Sequence, residues 1–557
     1  MQKKLPTYLF FLLLFLVSNS VLSQEVEYII GKLIDAKAQE PIAFASIRIK
    51  DRALGIISNT DGSFKIPIKY KEYGDIIEIS SMGYQTKEIL IQDFLINELN
   101  DVELQPALLK LEEAIVTAKS KRAKRLTARQ IVRRAIKSIP ENYPAEPFST
   151  VGYYRDYQLD SLQYVNLNEA ILAVFDEGFD TTDSVSTKVK LFEYRENNDF
   201  KRDTLALGAY DYKSKEGRKV IDKAFLAPYG GNEFTILRIH DAIRNYDIDS
   251  YSFVHRLESD MLSEHKFKKE PDTYFNDEPF YVIKFEKLLS KYRALGVLYI
   301  SKRNFAILKM EYAVYDLTKK LPNGMVNKYQ LNNPLIFEII TEYRPKDDKM
   351  YLNYISLHNT FQLLDPPKFK VDTLLVNYQK KRFEVYFNKP SLIPDRPSLA
   401  QDTPSRIPDA YKSDNYDLTY KGEKIDFSKI EVYILSTNQE EVYLYPNMNW
   451  EDLNEMFSSI KENSKKGVFD INLKIANIRD KEGNLIDEWT TTNYDQFREF
   501  FVQEVKPNAK SPVGSLFMEK RKPIFKDQPM LKPDNFDDYW MNTPLQNKKK
   551  LKSIDKN

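Results

Sequence analysis

The chain of 557 residues contains no cysteine at all. That absence excludes disulfides, thiol catalysis, cysteine zinc sites and a lipid-modified cysteine behind a leader. Histidine is scarce too, with 4 in the whole chain, so few residues are on hand for a histidine metal site. Glycine is low at 17 against 36 Tyr and 33 Phe, a mixture that suits β-rich domains with large, half-buried side chains. No single sign of charge dominates: 82 Lys and Arg face 81 Asp and Glu, so no global field favours nucleic acid or acidic substrates. Long apolar runs are missing as well. The longest, Leu9 to Val17, has nine residues, and a bilayer span needs about 20.

That short run has a meaning of its own. Lys3 and Lys4 precede it and Val21-Leu22-Ser23 follows it as a small-residue cleavage site, which is the pattern of a secretory leader over residues 1–23. The expected mature chain begins at Gln24 and is exported, to the periplasm, the outer membrane or the cell surface of a Gram-negative bacterium. Without disulfides, an exported chain must rely on its hydrophobic cores.

Residues 24–118 read as a small antiparallel β-sandwich. The segments "YIIGKLID", "FASIRIK", "GSFKIPI", "DIIEISSM" and "KEILI" are short alternating strands. Asp61-Gly62 supplies a tight hairpin turn and Gly83 a second turn. Gly31, Asp35, Pro41, Ala45, Thr60 to Phe64 and Gly83-Tyr84 together resemble the carboxypeptidase-regulatory-like domain, a transthyretin-like sandwich. "LEEAIVTAK" at 111–119 resembles the strand that trails such domains in envelope proteins of Bacteroidetes-type bacteria. The resemblance implies export and modular architecture, and it does not imply peptidase activity.

Residues 119–147 hold a basic linker and an amphipathic helix. From Lys119 to Lys137 there are nine basic residues and no acid. Thr127 and Gln130 form a capping box, Ile131, Val132, Ala135, Ile136 and Ile139 share one face, and Pro140 stops the helix. An anionic surface would suit the charges. The apolar stripe needs a core whereas the charges need only water, so docking on the next domain is the preferred reading.

Residues 148–388 read as successive antiparallel strands, with Gly296, Arg303 and Asn304 at turns. The rhythm "GVLYISKRNFAILKMEYAVY" is similar to the half-barrel of the LolA/LolB lipoprotein-carrier superfamily, in which a curved sheet wraps an apolar cavity. The order of segments up to about residue 390 resembles exported Bacteroidetes proteins known by their regulatory-like domain, a group with no catalytic residues to carry over. Five prolines from Pro390 to Pro408 make 389–411 a stiff linker. Residues 412–505 read as a small α+β region, whose helix carries Trp450, Leu453, Met456, Phe457 and Ile460 on one stripe. The tail, 506–557, reads as irregular and partly disordered. The fold class is thus mainly β.

Chemistry-bearing patterns are few. His255-Arg-Leu-Glu258 has the spacing with which zinc carboxypeptidases hold their metal, and His358 lies about a hundred residues on, with His265 as a further candidate. The catalytic domain of such an enzyme needs strands alternating with long helices, and residues 250–385 are consecutive strands instead. The alternative of a zinc carboxypeptidase-type enzyme using His255, Glu258 and His358 is therefore not preferred. There is no G-x-S-x-G elbow, P-loop or dinucleotide fingerprint. "APYGG" (227–231) reads as a loop and "NYDIDSY" as an exposed turn lacking the glycine and terminal glutamate of a calcium loop. Acid pairs such as Glu258/Asp260 and Asp347/Asp348 belong on solvated turns. A membrane barrel is disfavoured by Lys, Glu and Arg along the strands and by a final segment unable to close one. The sequence thus points to a non-enzymatic, exported envelope protein in a binding or scaffolding role, with no catalytic, cofactor or metal residues assigned. Its partner is an envelope protein or an apolar ligand such as a lipid; nucleic acid is not expected, and peripheral membrane association is left open.

Overall fold

Alternation, turn residues and apolar stripes are realised in the computed structural model as a mainly β protein with few helices. The structure describes residues 27–545 apart from 53, 108–125, 161–162, 205, 208–218, 221–230, 250–253, 255, 277, 328, 392–408, 435–439, 468–469 and 526. The expected leader, the basic residues 119–125 and most of the proline-rich linker lie outside the described residues. One unit holds the described residues of 1–213, 221–361 and 494–557; the other holds those of 214–220 and 362–493.

In the first unit, the N-terminal strands pack as two small sheets. Tyr28–Asp35 pairs antiparallel with Ser63–Pro67 and parallel with Leu99–Leu104. The facing sheet runs Leu54–Ile57, Ser46–Ile49, Ile76–Ser80, Lys87–Leu90. Alternate residues such as Ile29, Leu33, Ile47, Phe64, Ile77 and Ile79 meet between them and exclude water. Two details differ from the sequence reading. The sandwich is mixed, because the chain crosses over before its last strand and returns in the direction of the first. The Asp61-Gly62 turn, read as a hairpin, instead passes the chain from one sheet to the other. Gly62 has φ +78°, and a Cβ there would sit 2.5 Å from the Leu33 carbonyl oxygen, so this corner takes only glycine without strain.

The rest of the unit is a large antiparallel sheet. Its main path runs Lys188–Glu196, Gln163–Asp176, Phe148–Asp160, Thr490–Pro507, Lys349–Asp365, Leu335–Lys346, Ile307–Asp316, Tyr292–Ser301, Glu278–Leu288, Lys266–Lys269. The strand Thr490–Pro507, which begins inside the region read as α+β, inserts at the centre of this sheet beside Phe148–Asp160. Its alternation places Phe500 and Val502 on one face and Glu499 and Phe501 on the other, and only a central strand buries both faces.

One face of the sheet is covered by helices from the same unit. The helix Ala128–Lys137 begins with the expected capping box: Gln130 N–H donates to Thr127 Oγ1 at 3.3 Å, and Thr127 N–H donates to Gln130 Oε1 at 2.9 Å. Ile131, Val132, Ala135, Ile136 and Ile139 are buried among sheet residues such as Leu298, Met310 and Tyr343. Each of the four larger ones, Ile131, Val132, Ile136 and Ile139, contributes roughly 1.5–3 kcal/mol by leaving water. The helix Glu233–Ile239 adds Phe234, Ile236 and Leu237 to the same core. The tail is irregular, but its described part, 508–545, is held in place: Met518, Ile524, Tyr539 and Trp540 are buried.

The second unit has its own core. Strands Val371–Asn377 and Arg382–Phe387, read in sequence with the region before them, pair with Glu440–Pro446 and Phe427–Ile434. The helix Trp450–Lys465 buries Met456, Phe457 and Ile460 against them, while Trp450 at its first turn is 67 % exposed and stands off the stripe. Periodicity put Trp450 in phase, but the residues of this helix that pack on the core begin at Leu453.

Candidate functional site

The sequence candidates for a metal are not gathered together. His358 lies in Lys349–Asp365 with its Nε2 3.1 Å from Asp495 Oδ1 and its ring stacked 4.1 Å from that of Phe497. Glu258 is an exposed turn residue whose backbone N–H donates to the Tyr246 carbonyl at 2.8 Å. His265 is buried beside Phe285 and Tyr312, with Nδ1 3.2 Å from the Met261 carbonyl. His255 lies outside the described residues, as do 227–230 of the "APYGG" segment. Among the described residues no three His, Asp or Glu side chains form a metal-holding group. Asp247 and Asp249 are exposed, and Asp347, at φ +54°, forms the tip of a hairpin with Asp348.

The polar constellation that stands out was not visible in the sequence, because strand register assembles it from four distant segments. Arg498, Asp156, Asn168 and Glu196 are successive cross-strand neighbours; one step along lie Phe500, Tyr154, Ala170 and Tyr194. Asn168 donates to Asp156 Oδ1 at 2.9 Å, and Arg202 Nη1 donates to Asn168 Oδ1 at 3.0 Å. Arg498 is fully buried, pairs with Glu233 on the covering helix and reaches Asn359 Oδ1 at 2.5 Å. Burial pushes the Asp156 carboxyl up to about 6, with the Glu233 charge adding to the rise and the Asn168 hydrogen bond and Arg498 opposing it. A raised carboxyl beside a second acid is the kind of pair that acid–base catalysis uses. Here, however, Glu233 is tied to Arg498 and Asp156 to Asn168, and both partners are internal to the fold. The cluster fastens the 233–239 helix to the sheet.

A second polar seam fastens the sandwich to the opposite face of the sheet. Arg155 is 2 % exposed, and its guanidinium contacts Glu499 on the neighbouring strand and Asn59 in the sandwich corner. Glu499 also accepts from the Tyr354 hydroxyl at 3.1 Å. Arg48 of the sandwich donates to Asn353 Oδ1 at 2.5 Å and to the Val502 carbonyl at 2.9 Å. The tail closes the seam. Asn542 donates to the Ile57 carbonyl at 2.7 Å and accepts from Lys65 N–H at 2.8 Å, while Trp540 Nε1 donates to the Lys65 carbonyl at 2.9 Å. Nearby, Glu169 is fully buried; burial raises its carboxyl, but Arg195 and the bonds from Tyr153, Arg195 and Asn197 outweigh that and hold it below its ordinary value.

A cleft of about 510 Å³ opens between sandwich and tail. Arg52, Lys69, Tyr70 and Tyr73 line one side, and Glu504 and Tyr539 the other. Its charges are largely satisfied from within: Arg52 pairs with Asp75 at 2.8 Å, Lys69 with Asp538 at 3.5 Å, and the Tyr539 hydroxyl with Glu504 at 2.5 Å. It is a mixed aromatic and polar groove of the kind protein surfaces present to partners.

Two facing sheets with a crossover before the last strand, fastened to a larger sheet, define a transthyretin-like sandwich. Residues 29–116 match the family described as the CarboxypepD_reg-like domain, a regulatory-like and not a catalytic module. No curated protein matches the chain. Among the solved structures that align with part of it are two. One is described as an outer membrane lipoprotein-sorting protein domain from Vibrio parahaemolyticus, 12 % identical, covering 42 % of this chain and 86 % of that one with a TM-score of 0.21. The other is a DUF1329 family protein from Desulfovibrio piger, 5 % identical, covering 42 % and 87 % with a TM-score of 0.18. Superpositions this loose carry no argument about the chain's activity.

Proposed function

We propose that this is a non-enzymatic, exported cell-envelope protein that acts as a scaffold, with the regulatory-like sandwich built into its body and the cleft around Arg52, Tyr73 and Tyr539 receiving a protein partner. The observation that carries this reading is the burial, among the described residues, of one face of the large sheet. Its apolar side chains pack against Ile131, Val132, Ile136, Phe234 and Leu237, all nearly or wholly buried. The space lined by His240, Val254, Met310, Tyr312 and Ile339 on that face amounts to about 10 Å³, room for one water. Small-molecule sites run to roughly 300–1,000 Å³, so an acyl chain could enter this space only by displacing the residues that line it. Export is supported by the leader pattern in residues 1–23 and by the regulatory-like domain at 29–116.

Native mass spectrometry of the protein isolated from its host envelope tests both parts. The expected result is a chain beginning at Gln24 with no lipid-sized adduct. A stoichiometric adduct of lipid mass would overturn the scaffold reading, and retention of residues 1–23 would overturn export by a cleaved leader.

A further inference from the structure

The strand Lys188–Glu196 is the end of the large sheet, and such an edge offers unpaired backbone groups to any passing chain. The tail covers it. Met518 N–H donates to the Val189 carbonyl at 2.8 Å, Leu531 N–H donates to the Leu191 carbonyl at 3.1 Å, and Met530 forms a parallel bridge with Leu191. Met518 and Ile524 point inward and are buried. The other apolar side chains of the same ribbon do the opposite. Val513 is fully exposed, Leu516 is 78 %, Leu531 76 % and Met530 57 % exposed. Beside them stands Val185, 79 % exposed, in a turn fastened to the ribbon by Lys520 Nζ, which donates to the Ser184 and Val185 carbonyls at 2.8 and 3.3 Å. Exposed aliphatic side chains gathered like this mark an interaction surface.

The charge says what kind. Residues 506–532 contain seven Lys or Arg and two acids, a net charge of +5 (7 − 2) in a chain whose total is +1. Lys188 and Lys190 of the edge strand add to the field, their ammonium groups 5.3 and 5.9 Å from the Phe517 ring centre. Three cations of this stretch are paired, Lys506 with Glu504 at 3.0 Å, Lys522 with Glu519 at 2.7 Å and Lys532 with Glu193 at 3.0 Å. Among the described residues Lys510 and Arg521 are exposed and have no ion-pair partner. Aliphatic side chains that seek hydrocarbon, set among cations that seek anions on one ribbon, are the two attractions an anionic bilayer surface satisfies together. We propose that this ribbon, residues 510–532 laid over the 188–196 edge strand, docks the protein on a membrane surface rich in anionic lipid. The proposal goes beyond the scaffold reading and does not depend on it, since a protein of any internal function with this ribbon would dock in the same way.

Flotation of the chain 24–557 with vesicles of phosphatidylcholine alone and of phosphatidylcholine mixed with phosphatidylglycerol tests it. Binding is expected to the mixed vesicles, to fall with added salt, and to weaken about thirtyfold in K510Q/R521Q, at about one unit charge's worth of attraction per residue. L516S/L531S is expected to weaken it about tenfold or more. All four positions are exposed, so both variants should keep the thermal transition of the unaltered protein. Equal recovery with both vesicle types, or unchanged binding by both variants, would overturn the proposal. So would loss of binding in R129Q/R133Q on the basic 128–137 helix with the tail variants unaffected, or capture by soluble polyglutamate without vesicle binding.

Discussion

Asp156 offers the most direct check on the buried polar cluster, because its energetic sign is opposite to that of most carboxylates. Burial and the Glu233 charge hold its carboxyl at about 6 in the folded protein, against 3.8 for the ordinary value. The difference corresponds to roughly 3 kcal/mol at 1.36 kcal/mol for each tenfold change in proton affinity. A carboxyl raised by folding favours the fold when protonated. The stabilisation is therefore fully present below pH 3.8 and is lost as pH rises through 6. Asp156→Asn removes the ionisation while keeping an oxygen to accept from Asn168. The variant should match the unaltered protein near pH 3.5 and exceed it by up to about 3 kcal/mol above pH 7. Urea unfolding followed by Trp540 fluorescence, in a background with Trp450 and Trp489 changed to Phe, reports on the unit that contains Asp156, since Trp540 is buried there. A stability gap that is constant with pH, or a variant weaker than the parent at pH 7, would refute the assignment of Asp156 as a desolvated acid.

Three further measurements probe the same architecture. Burial pushes the His240 imidazole down to about 4, so its stabilisation is present above the ordinary value near 6.5 and lost as pH falls toward 4; H240Q should flatten that acid limb by roughly 3 kcal/mol, opposing the Asp156 effect in the same window. Arg155→Met leaves Glu499 buried without its guanidinium partner and should cost about 3–5 kcal/mol, while Arg155→Met/Glu499→Leu should recover most of it; additive losses in the double-mutant cycle would mean the two do not act as a pair. On the 128–137 helix, Ile131→Ala should cost about 2–5 kcal/mol as a core truncation and Thr127→Ala about 1 kcal/mol as a lost cap; equal, small effects in thermal melts would show that the helix is not docked.

Local patterns carried far where short-range chemistry decides. The strand "YIIGKLID" appears over Tyr28–Asp35, and the Thr127/Gln130 capping box is formed as read, because spacing alone places a hydroxyl at a helix start within reach of the third N–H. The apolar stripe of that helix is buried for the same reason: the side-chain period fixes which residues share a face, and burial needs only something apolar opposite. The Asp61-Gly62 corner shows the limit. Residue types specify a turn with positive φ, but whether the next strand returns to its neighbour or passes to the facing sheet depends on strands far away in the chain.

What the sequence by itself determined about this protein is the N-terminal sandwich, the mainly β body, the capped docking helix and the lack of cysteine chemistry, since each is written in contiguous residues or in composition. Tertiary structure alone decided that strand 490–507 enters the middle of the large sheet, that Arg155 meets Glu499 and Asn59, and that Asp156 shares a row with Arg498. The partners in those contacts are up to 344 residues apart. Their meeting depends on long-range strand register, which period-2 alternation leaves undefined between any two strands of similar pattern. The tail makes the same point most sharply. Its prolines forbid regular structure, yet Met518, Ile524, Trp540 and Asn542 are anchored because the rest of the fold offers pockets and carbonyls that no stretch of tail sequence reveals.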